Sequence, residues 1–383
     1  EDEVDLDISV EEKSADRAQA NIGFTGEYGI TGGGGVEFNN FRGLGQRLNL
    51  SFNTGTNYSV YQTPSKYRSV SLSFTDPMVM DTPNLVGFSV FYTFRGAATN
   101  YSFPLDFSMF GGSLSWGRRF RWPDDFFRGH WVLRGVQKEY SSESSTSTDL
   151  GPYENLLGQI SQGFNITQVI TRDSRNRPEF TTSGSRFSLE TTISGGPLGG
   201  NEDFHKHVLN LEWFTPTFWK FVLMSSVKLG AIKPLQSSNK ELSIVPFDEK
   251  FIMGGNGIPY GNMLRGYPDN SIGPLTTSGR PIGGSGMIKF TSEFRIPFSE
   301  NPVVYGLVFG EMGNVWDTLD MTEPFGLTRT GPLSLKRSAG VGFRFFMPML
   351  GMLGFDMGYG FDDITGIGKP QGWTYTITFG QPF

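Results

Sequence analysis

The chain has 383 residues, and its composition excludes several classes of protein. It carries 32 basic and 38 acidic residues, a formal charge of −6, which does not indicate the basic surface of a nucleic-acid binder. It contains 51 glycines, 35 phenylalanines and 13 tyrosines but no run of about 18 apolar residues, which excludes a helical membrane protein and favours many short strands. The lack of cysteine excludes a disulfide framework and thiolate metal sites but identifies no compartment.

The beginning of the chain differs from the rest. It opens with the acidic stretch Glu1 to Glu3 rather than with a signal peptide, so we interpret it as a mature or trimmed chain. Apolar and polar residues alternate from Val4 to Val10, which predicts a half-buried strand at the end of a preceding domain, and Lys13 to Gln19 is interpreted as a linker. We therefore assign residues 1–19 to a domain remnant and residues 20–383 to the main domain.

From Ala20 onward, segments of about ten residues with alternating apolar and polar side chains recur, a pattern typical of a transmembrane β-barrel. Sixteen segments are predicted, and the number is even, as in single-chain bacterial barrels. They lie near residues 20–28, 34–38, 46–55, 67–75, 85–94, 107–117, 129–140, 159–170, 185–194, 204–214, 220–230, 286–296, 302–312, 338–346, 353–360 and 373–381. A soluble all-β fold is the alternative, because a surface strand of a sandwich shows the same alternation.

The connections between these segments alternate in length. Starting with the second connection, every other one is a turn or a short bend, whereas the others include Ser141 to Asn155, Ala231 to Ser285 and Gly313 to Arg337. Bacterial outer-membrane barrels have short periplasmic turns and long outer loops. The alternation therefore predicts that both chain ends lie on the periplasmic side.

The longest connection contains a segment, Phe247 to Ile282, that lacks the periodicity of a strand or a helix. A connection of this length without secondary structure is usually either disordered or functional, and its aromatic and turn residues predict an ordered loop. Arg265 is the predicted anchor, because a guanidinium binds a carboxylate through two points. Gly266 beside it allows another backbone segment to approach closely.

Strand alternation places two carboxylates inside the predicted barrel. Glu293 lies opposite the aromatic face of its segment, and Glu311 is the only charge on the next segment, where a lipid-facing position would be destabilising. Phe309 shares the face of Glu311, which predicts that its ring packs against a loop folded into the lumen. We therefore predict that Arg265 contacts Glu293 and Glu311. The alternative is that these are solvated lumen charges without specific partners.

Three other patterns favour structural roles. Gly32 to Gly35 lacks the strand-to-helix context of a phosphate-binding loop and predicts a tight hairpin. His205 and His207 share a strand face, but the lack of cysteine favours a structural or solvated role over a metal site. The charged stretch from Thr171 to Pro178 predicts a solvated periplasmic turn, with a docking surface for periplasmic partners as the alternative. No nucleophile elbow or acid–base pair is evident, so we predict neither an enzyme nor a cofactor.

The sequence Leu264-Arg265-Gly266-Tyr267 resembles the Val/Ile-Arg-Gly-Phe/Tyr loop motif of the BamA family, the barrel-assembly factors of bacterial outer membranes. Leu264 departs from the β-branched first residue of that motif, while the arginine and glycine are retained. Further similar stretches extend the resemblance over nearly the whole chain: Phe251 to Gly255, Ile272 to Pro274, Asp173 to Gly184, Gly313 to Asp317, and Gly340 to Arg344 with Pro348.

The resemblance implies an all-β fold, a 16-stranded antiparallel transmembrane β-barrel with a long extracellular loop folded into the lumen. It implies that Arg265 contacts carboxylates at the positions of Glu293 and Glu311, and that Val4 to Val10 ends the last periplasmic POTRA domain. It also implies residence in the bacterial outer membrane with a periplasmic N-terminus. The implied partners are unfolded outer-membrane β-barrel clients, periplasmic assembly lipoproteins and the lipid bilayer, with no nucleic acid.

The predicted function is the folding and insertion of other β-barrels without ATP or chemical catalysis. A strand that enters hydrocarbon must pair its backbone groups, and an open barrel edge provides a template for that pairing. We predict a lateral seam between the first and last segments, Ala20–Tyr28 and Trp373–Phe383, whose glycines and proline weaken strand pairing. The predicted seam residues are Ile22, Phe24, Trp373, Tyr375, Ile377, Phe379, Gly380 and Phe383.

Two alternative functions stay open from the sequence. A polypeptide translocator of the same superfamily would pass its substrate through the lumen, and the number of upstream periplasmic domains would distinguish it. A passive diffusion pore would give steady conductance, whereas a barrel that is plugged by a loop should conduct poorly.

Overall fold

The computed structural model describes residues 16–25, 29–57, 65–96, 105–141, 157–177, 180–235, 245–255, 261–274, 283–317, 332–347, 351–364 and 366–380. The predicted strand from Val4 to Val10 lies outside these ranges. Three short 3-10 turns occur within them, at Val79–Asp81, Gly196–Leu198 and Phe247–Glu249. No helix in the described ranges is long and apolar enough to cross a membrane.

The described residues form sixteen strands that pair antiparallel in sequence order. Their bounds are Arg17–Thr25 (β1), Gly29–Phe41 (β2), Gln46–Asn57 (β3), Ser65–Asp76 (β4), Asn84–Arg95 (β5), Asp106–Arg119 (β6), Phe127–Ser141 (β7), Ile160–Asp173 (β8), Gly184–Ser194 (β9), Phe204–Pro216 (β10), Val222–Pro234 (β11), Gly286–Glu300 (β12), Val303–Trp316 (β13), Lys336–Met347 (β14), Gly351–Gly360 (β15) and Gly372–Gly380 (β16). Each predicted segment corresponds to one strand, so the predicted fold class, a 16-stranded antiparallel transmembrane β-barrel, is confirmed.

The outer face of the barrel is apolar and exposed. On β5, the side chains of Val86, Phe88, Val90 and Tyr92 are each 40–45% exposed, and the residues between them are more buried. A soluble protein does not expose contiguous apolar surface on this scale, whereas a bilayer requires it. The exposed rows on successive strands therefore form the lipid-facing belt.

One sequence interpretation is wrong. Gly32 to Gly35 does not form a hairpin, because all four residues lie inside β2 and pair with β1 on one side and β3 on the other. The close packing of the strands explains why glycine is used here. A Cβ atom at Gly35 would lie 2.8 Å from the carbonyl oxygen of Leu50 on β3. The first strand also begins at Arg17, so the end of the predicted linker is strand.

The core of the barrel combines strand residues with the long connection between β11 and β12, here called the lumen loop. Loop residues Phe251, Met253, Leu264, Tyr267 and Ile272 are buried in one apolar cluster. The wall side of the cluster consists of inward-facing residues of four successive strands, β10 to β13: Phe204, Ile232, Met287 and Val315. The lumen is thus filled by the chain's own loop, as the fold class predicted.

Candidate functional site in the lumen

The lumen loop is ordered by backbone pairing with itself. Met253 and Ile272 exchange two hydrogen bonds, at 2.8 and 3.3 Å, and Phe251 pairs in the same way with Gly284 at the end of the loop. The Leu264 amide donates to the Gly255 carbonyl at 3.2 Å. These contacts hold both sides of the Arg265 motif, so the loop presents the arginine from a fixed backbone.

The structure brings Arg265 together with both predicted carboxylates. Its Nη2 atom lies 2.8 Å from Glu293 Oε1 and 3.0 Å from Glu311 Oε1. The backbone N–H of Arg265 also donates to Glu311 Oε2 at 2.8 Å. Because the arginine side chain is only 2% exposed, these charge-assisted contacts are shielded from water.

A third carboxylate, Asp356 on β15, completes the cluster and was missed by the sequence analysis. Its Oδ1 atom lies 3.4 Å from Arg265 Nη1, and its side chain is fully buried. It also forms a two-point pair with Arg344 of β14, at 3.0 and 2.9 Å. The signal was present in the sequence, because Asp356 is the only charge on β15, as Glu311 is on β13.

The cluster carries more positive than negative charge. Lys289 binds Glu311 at 3.0 Å, and Arg295 binds Glu293 at 2.8 Å. The cations are Arg265, Lys289, Arg295 and Arg344, and the anions are Glu293, Glu311 and Asp356. Loss of one anion would therefore increase the existing excess of buried positive charge.

Gly266 allows the motif to lie directly on the wall. Its φ angle is +88°, and a Cβ atom there would lie 2.8 Å from Ser338 Cβ. The wall opposite it is also glycine, since a Cβ atom at Gly358 would lie 2.7 Å from the Gly266 nitrogen and one at Gly360 would collide with the Gly266 oxygen. No other residue type satisfies both the left-handed backbone and this close approach.

Tyr267 fixes the far side of the motif. Its hydroxyl donates to the Arg337 carbonyl at 2.7 Å and accepts from the Asp362 amide at 3.3 Å. Burial raises the pKa of Tyr267 to about 12, so the hydroxyl stays protonated. Burial would raise the pKa of Asp362, but hydrogen bonds from Arg337 outweigh it and lower that pKa. The motif is therefore tied to β14 and to the connection that follows β15.

The predicted seam residues are described in part. Trp373, Tyr375 and Ile377 of β16 are exposed on the outer face. Ile22 and Phe24 of β1 pair with Gly32 and Ile30 of β2, and the orientation of their side chains lies outside the described structure. The side chain of Phe379, the exposure of Gly380 and all of Phe383 also lie outside it. In the sheet order β1 and β16 are the two terminal strands.

The histidines and the charged stretch that the sequence singled out form contacts with nearby residues. His205 Nδ1 lies 3.1 Å from His207 Nε2, and within the described residues no group of three or more His, Cys, Asp or Glu side chains is arranged to hold a metal ion. In the connection after β8, Arg175 binds Asp173 at 2.9 Å. In the same stretch, Arg172 binds Asp124 at 2.8 Å.

Sixteen strands with an exposed apolar belt, around a lumen that the chain's own loop fills, define a plugged transmembrane β-barrel. Comparison with known families gives the particular class, because the Omp85 superfamily domain matches residues 40–381. The chain therefore belongs to the Omp85 superfamily.

Individual relatives agree with this assignment. The chain is 26% identical over 390 aligned residues to the outer membrane protein assembly factor BamA of Nitratidesulfovibrio vulgaris, covering all of this chain but 44% of that protein. The structure of BamA from Haemophilus ducreyi lacking POTRA domains 1–3 matches 96% of the chain and 70% of that structure, with a TM-score of 0.74 and 19% identity. These matches confirm the resemblance to the BamA family.

The fold is shared more widely. CdiB from Acinetobacter baumannii matches 95% of the chain and 59% of that structure, with a TM-score of 0.58 and 16% identity. CdiB from Escherichia coli matches 96% of the chain and 62% of that structure, with a TM-score of 0.62 and 13% identity. At these identities the likeness concerns the fold alone. The chain spans less than half the length of this curated BamA relative.

Proposed function

We propose that this chain is the barrel part of an outer-membrane protein assembly factor, which folds and inserts β-barrel clients through a lateral seam between β1 and β16. The observation that carries the proposal is the occupied lumen. Arg265 is held in the lumen by three carboxylates and the loop around it packs against the wall, so the described part of the loop obstructs the route of a client through the centre. The remaining route is sideways, between strands.

The build of the two terminal strands supports a seam at this position. β1 and β16 have nine residues each and are the shortest strands in the described sheet. Four residues of β1 pair with a run of glycines on β2, from Ile22 with Gly32 to Gln19 with Gly35. Glycine adds no side-chain contact to a sheet, so β1 is weakly held even on its paired side.

The proposed mechanism follows from the demand for hydrogen bonds in hydrocarbon. A client strand that enters the bilayer unpaired is destabilised by every free N–H and C=O group. When β1 and β16 separate, their free edges offer these groups a template, and the client adds to the sheet as a further strand. Neither ATP nor a chemical step is required, because pairing itself releases the free energy.

The proposal includes partners and orientation. The clients are unfolded outer-membrane β-barrel proteins, and periplasmic assembly lipoproteins act with upstream POTRA domains to deliver them. The N-terminus and the short turns face the periplasm, and the lumen loop belongs to the extracellular side. A polypeptide translocator is the second candidate, because the fold is shared with CdiB as well as with BamA. It would use the lumen and would require release of the loop.

A reversible covalent lock tests the seam. The chain has no native cysteine, so one cysteine in β1 and one in β16, at positions whose Cα atoms lie within about 7 Å, can form a single disulfide bond. We expect the oxidised protein to remain folded but to stop inserting clients into lipid vesicles, and reductant to restore insertion. A translocator that works through its lumen, or a passive pore, would be indifferent to the lock.

An interior lock provides the matched control. Ser51 of β3 and Ser71 of β4 are directly paired, with their hydroxyl oxygens 2.7 Å apart, so the double substitution Ser51→Cys and Ser71→Cys should form a bond without distortion. This lock should leave client insertion unchanged. Insertion at the unlocked rate by the seam-locked protein would refute the lateral mechanism.

A further inference from the structure

The lumen loop touches the barrel wall at a second place, sixteen residues before Arg265 along the chain. Its first described turn, Phe247–Glu249, lies against inward-facing residues of β6 and β7. The Phe247 ring packs edge-on against Phe107, with centroids 5.5 Å apart, and against Tyr140, at 6.3 Å. All three side chains are buried. The turn is therefore docked in an aromatic pocket rather than resting on the surface.

A buried lysine sits beside this pocket. Lys138 of β7 is 2% exposed, and its Nζ atom lies 2.8 Å from Asp248 of the loop and 3.0 Å from Glu202. Glu202 belongs to the connection between β9 and β10 and accepts a hydrogen bond from Ser161 at 2.7 Å. One amino group thus joins the wall, the lumen loop and a second connection.

A second lysine extends the contact to β10. Lys206 Nζ lies 2.9 Å from Glu249 Oε2 and 5.3 Å from the centre of the Phe251 ring. Burial would raise the pKa of Glu249, but the two nearby lysines, Lys206 and Lys138, outweigh it and lower that pKa to about 2. Glu249 is therefore charged at neutral pH, and both acidic residues of the turn are paired with a lysine of the wall.

This second contact lies on a different section of the wall from the Arg265 cluster. It involves β6, β7 and β10, whereas the carboxylates around Arg265 are on β12, β13 and β15. The loop is consequently attached to two separate sections of the wall. Movement of one section relative to the other must either stretch the loop or break one of the attachments.

We propose that Asp248 and Glu249 form a second anchor of the lumen loop and are positioning residues for the Arg265 motif. Apolar contact alone would hold the turn, since a buried ion pair is often no more stabilising than apolar residues of the same size. What the charges add is a defined position, because only one placement of the turn satisfies both lysines. The role in client assembly rests on the proposed function, whereas the placement of the loop does not.

The charges predict an asymmetry between two substitutions. Loss of Lys138 removes the cation that Asp248 and Glu202 share. Two carboxylates that are held close together without a cation repel each other. Loss of the Asp248 charge leaves Lys138 paired with Glu202 alone, which is balanced. Lys138→Met should therefore release the turn much more than Asp248→Asn does.

Reporter cysteines measure the release separately at each end of the loop. Lys250→Cys reports on the anchor and Met263→Cys reports on the Arg265 motif, and both native side chains are half-buried. We expect Lys138→Met to raise the rate of maleimide modification at both reporters about tenfold and Asp248→Asn to raise it about threefold. Adding Asp248→Asn to Lys138→Met should lower the rate again, because it removes the repulsion between Asp248 and Glu202. The control Lys233→Met removes an exposed lysine of β11 and should change neither rate.

Each outcome decides the proposal. Faster modification at both reporters, in protein whose heat-modifiable band shows a folded barrel, supports a positioning role. Faster modification at Lys250→Cys alone means that the anchor is local, and additive effects of the two substitutions mean that Lys138 and Asp248 do not act as a pair; either result overturns the proposal. If Lys138→Met does not fold, Asp248→Asn with the same reporters decides. The readout needs no client, so failure of the proposed function would appear separately, in the insertion assay.

Discussion

The guanidinium carbon of Arg265 lies 3.7 Å from the centre of the Phe309 ring, which faces into the lumen from β13. An aromatic side chain on the polar face of a barrel strand is unusual, and the arginine accounts for it. The ring face attracts the cation while the carboxylates Glu293, Glu311 and Asp356 bind its edges. The arginine is thus held both by charge and by the flat shape of its guanidinium.

The first prediction is that positive charge alone does not hold the loop. Arg265→Lys keeps the charge but cannot bind three carboxylates and stack on Phe309 at once, because an ammonium is a compact point charge. Arg265→Ala removes both the charge and the stacking contact. It should weaken the docking of the loop by about 3–5 kcal/mol, the usual effect of breaking a buried pair. We expect a cysteine at Met263 to become accessible to maleimide in both variants. Protection equal to that of the parent protein in Arg265→Ala would disprove the docking role.

The sequence was sufficient to predict which side chains face the lumen wherever the rules for membrane-barrel strands applied. Alternation along β12 placed Glu293 in the lumen, the cost of a lipid-facing charge placed Glu311 there, and both were then predicted as partners of the loop anchor Arg265. The same rule applied to β15 would have given Asp356. β15 does alternate, since Leu353, Phe355 and Met357 lie on the face opposite Asp356, so the signal was present in the sequence but was not used.

Other features depend on tertiary contacts that no local pattern records. The run Gly32 to Gly35 was predicted as a hairpin because glycine favours turns, but pairing with strands on both sides determined its structure. The pairing of Lys138 with Asp248 joins residues 110 positions apart, across a connection whose path the sequence does not specify. Rules based on residue spacing apply within one strand or one turn. These contacts join different strands and loops, so such rules do not predict them.

The second prediction concerns the excess of positive charge around Arg265. Asp356→Asn removes an anion that serves both Arg265 and Arg344, so the cluster is left with four cations and two carboxylates. We expect a loss of about 3–5 kcal/mol in the free energy of unfolding, measured with guanidinium in detergent. Lys289→Met is the matched comparison, because it balances the cluster at three charges of each sign. An equal loss in both variants would contradict the charge argument.

The third prediction tests the close contact between the loop and β15. Gly266→Ala forces an alanine into a left-handed conformation and pushes its Cβ atom against Ser338 and the backbone of Gly360. We expect about 1–3 kcal/mol of strain, which should displace the motif and expose the Met263→Cys reporter. Gly310→Ala on the outer face of β13 is the control, since a Cβ atom there has nothing within 4 Å. The docking geometry is incorrect if the two alanines behave alike.

The last prediction concerns the membrane surface at the short turns. Trp219, in the turn between β10 and β11, is 84% exposed and has a φ angle of +58°, a strained conformation for so large a residue. Its neighbour Phe218 packs toward the outward-facing Phe294 of β12, so the turn continues the lipid-facing belt. Tryptophan side chains are favoured at the level of the lipid headgroups, and this interaction would offset the backbone strain.

Depth-dependent quenching measures where Trp219 lies. The fluorescence of Trp219 is obtained as the difference between the parent protein and the Trp219→Phe variant. In vesicles of brominated phospholipid, this difference signal should be quenched most by bromines close to the headgroups. Trp116, on the outer face of β6, provides the comparison through Trp116→Phe, because its ring already lies in the exposed apolar row. We also expect Trp219→Ala to slow insertion of this barrel into vesicles, since the turn would lose an interfacial contact. A Trp219 signal that brominated lipid leaves unquenched, while iodide in the water quenches it, would place the turn in solvent and remove the physical reason for its strained backbone.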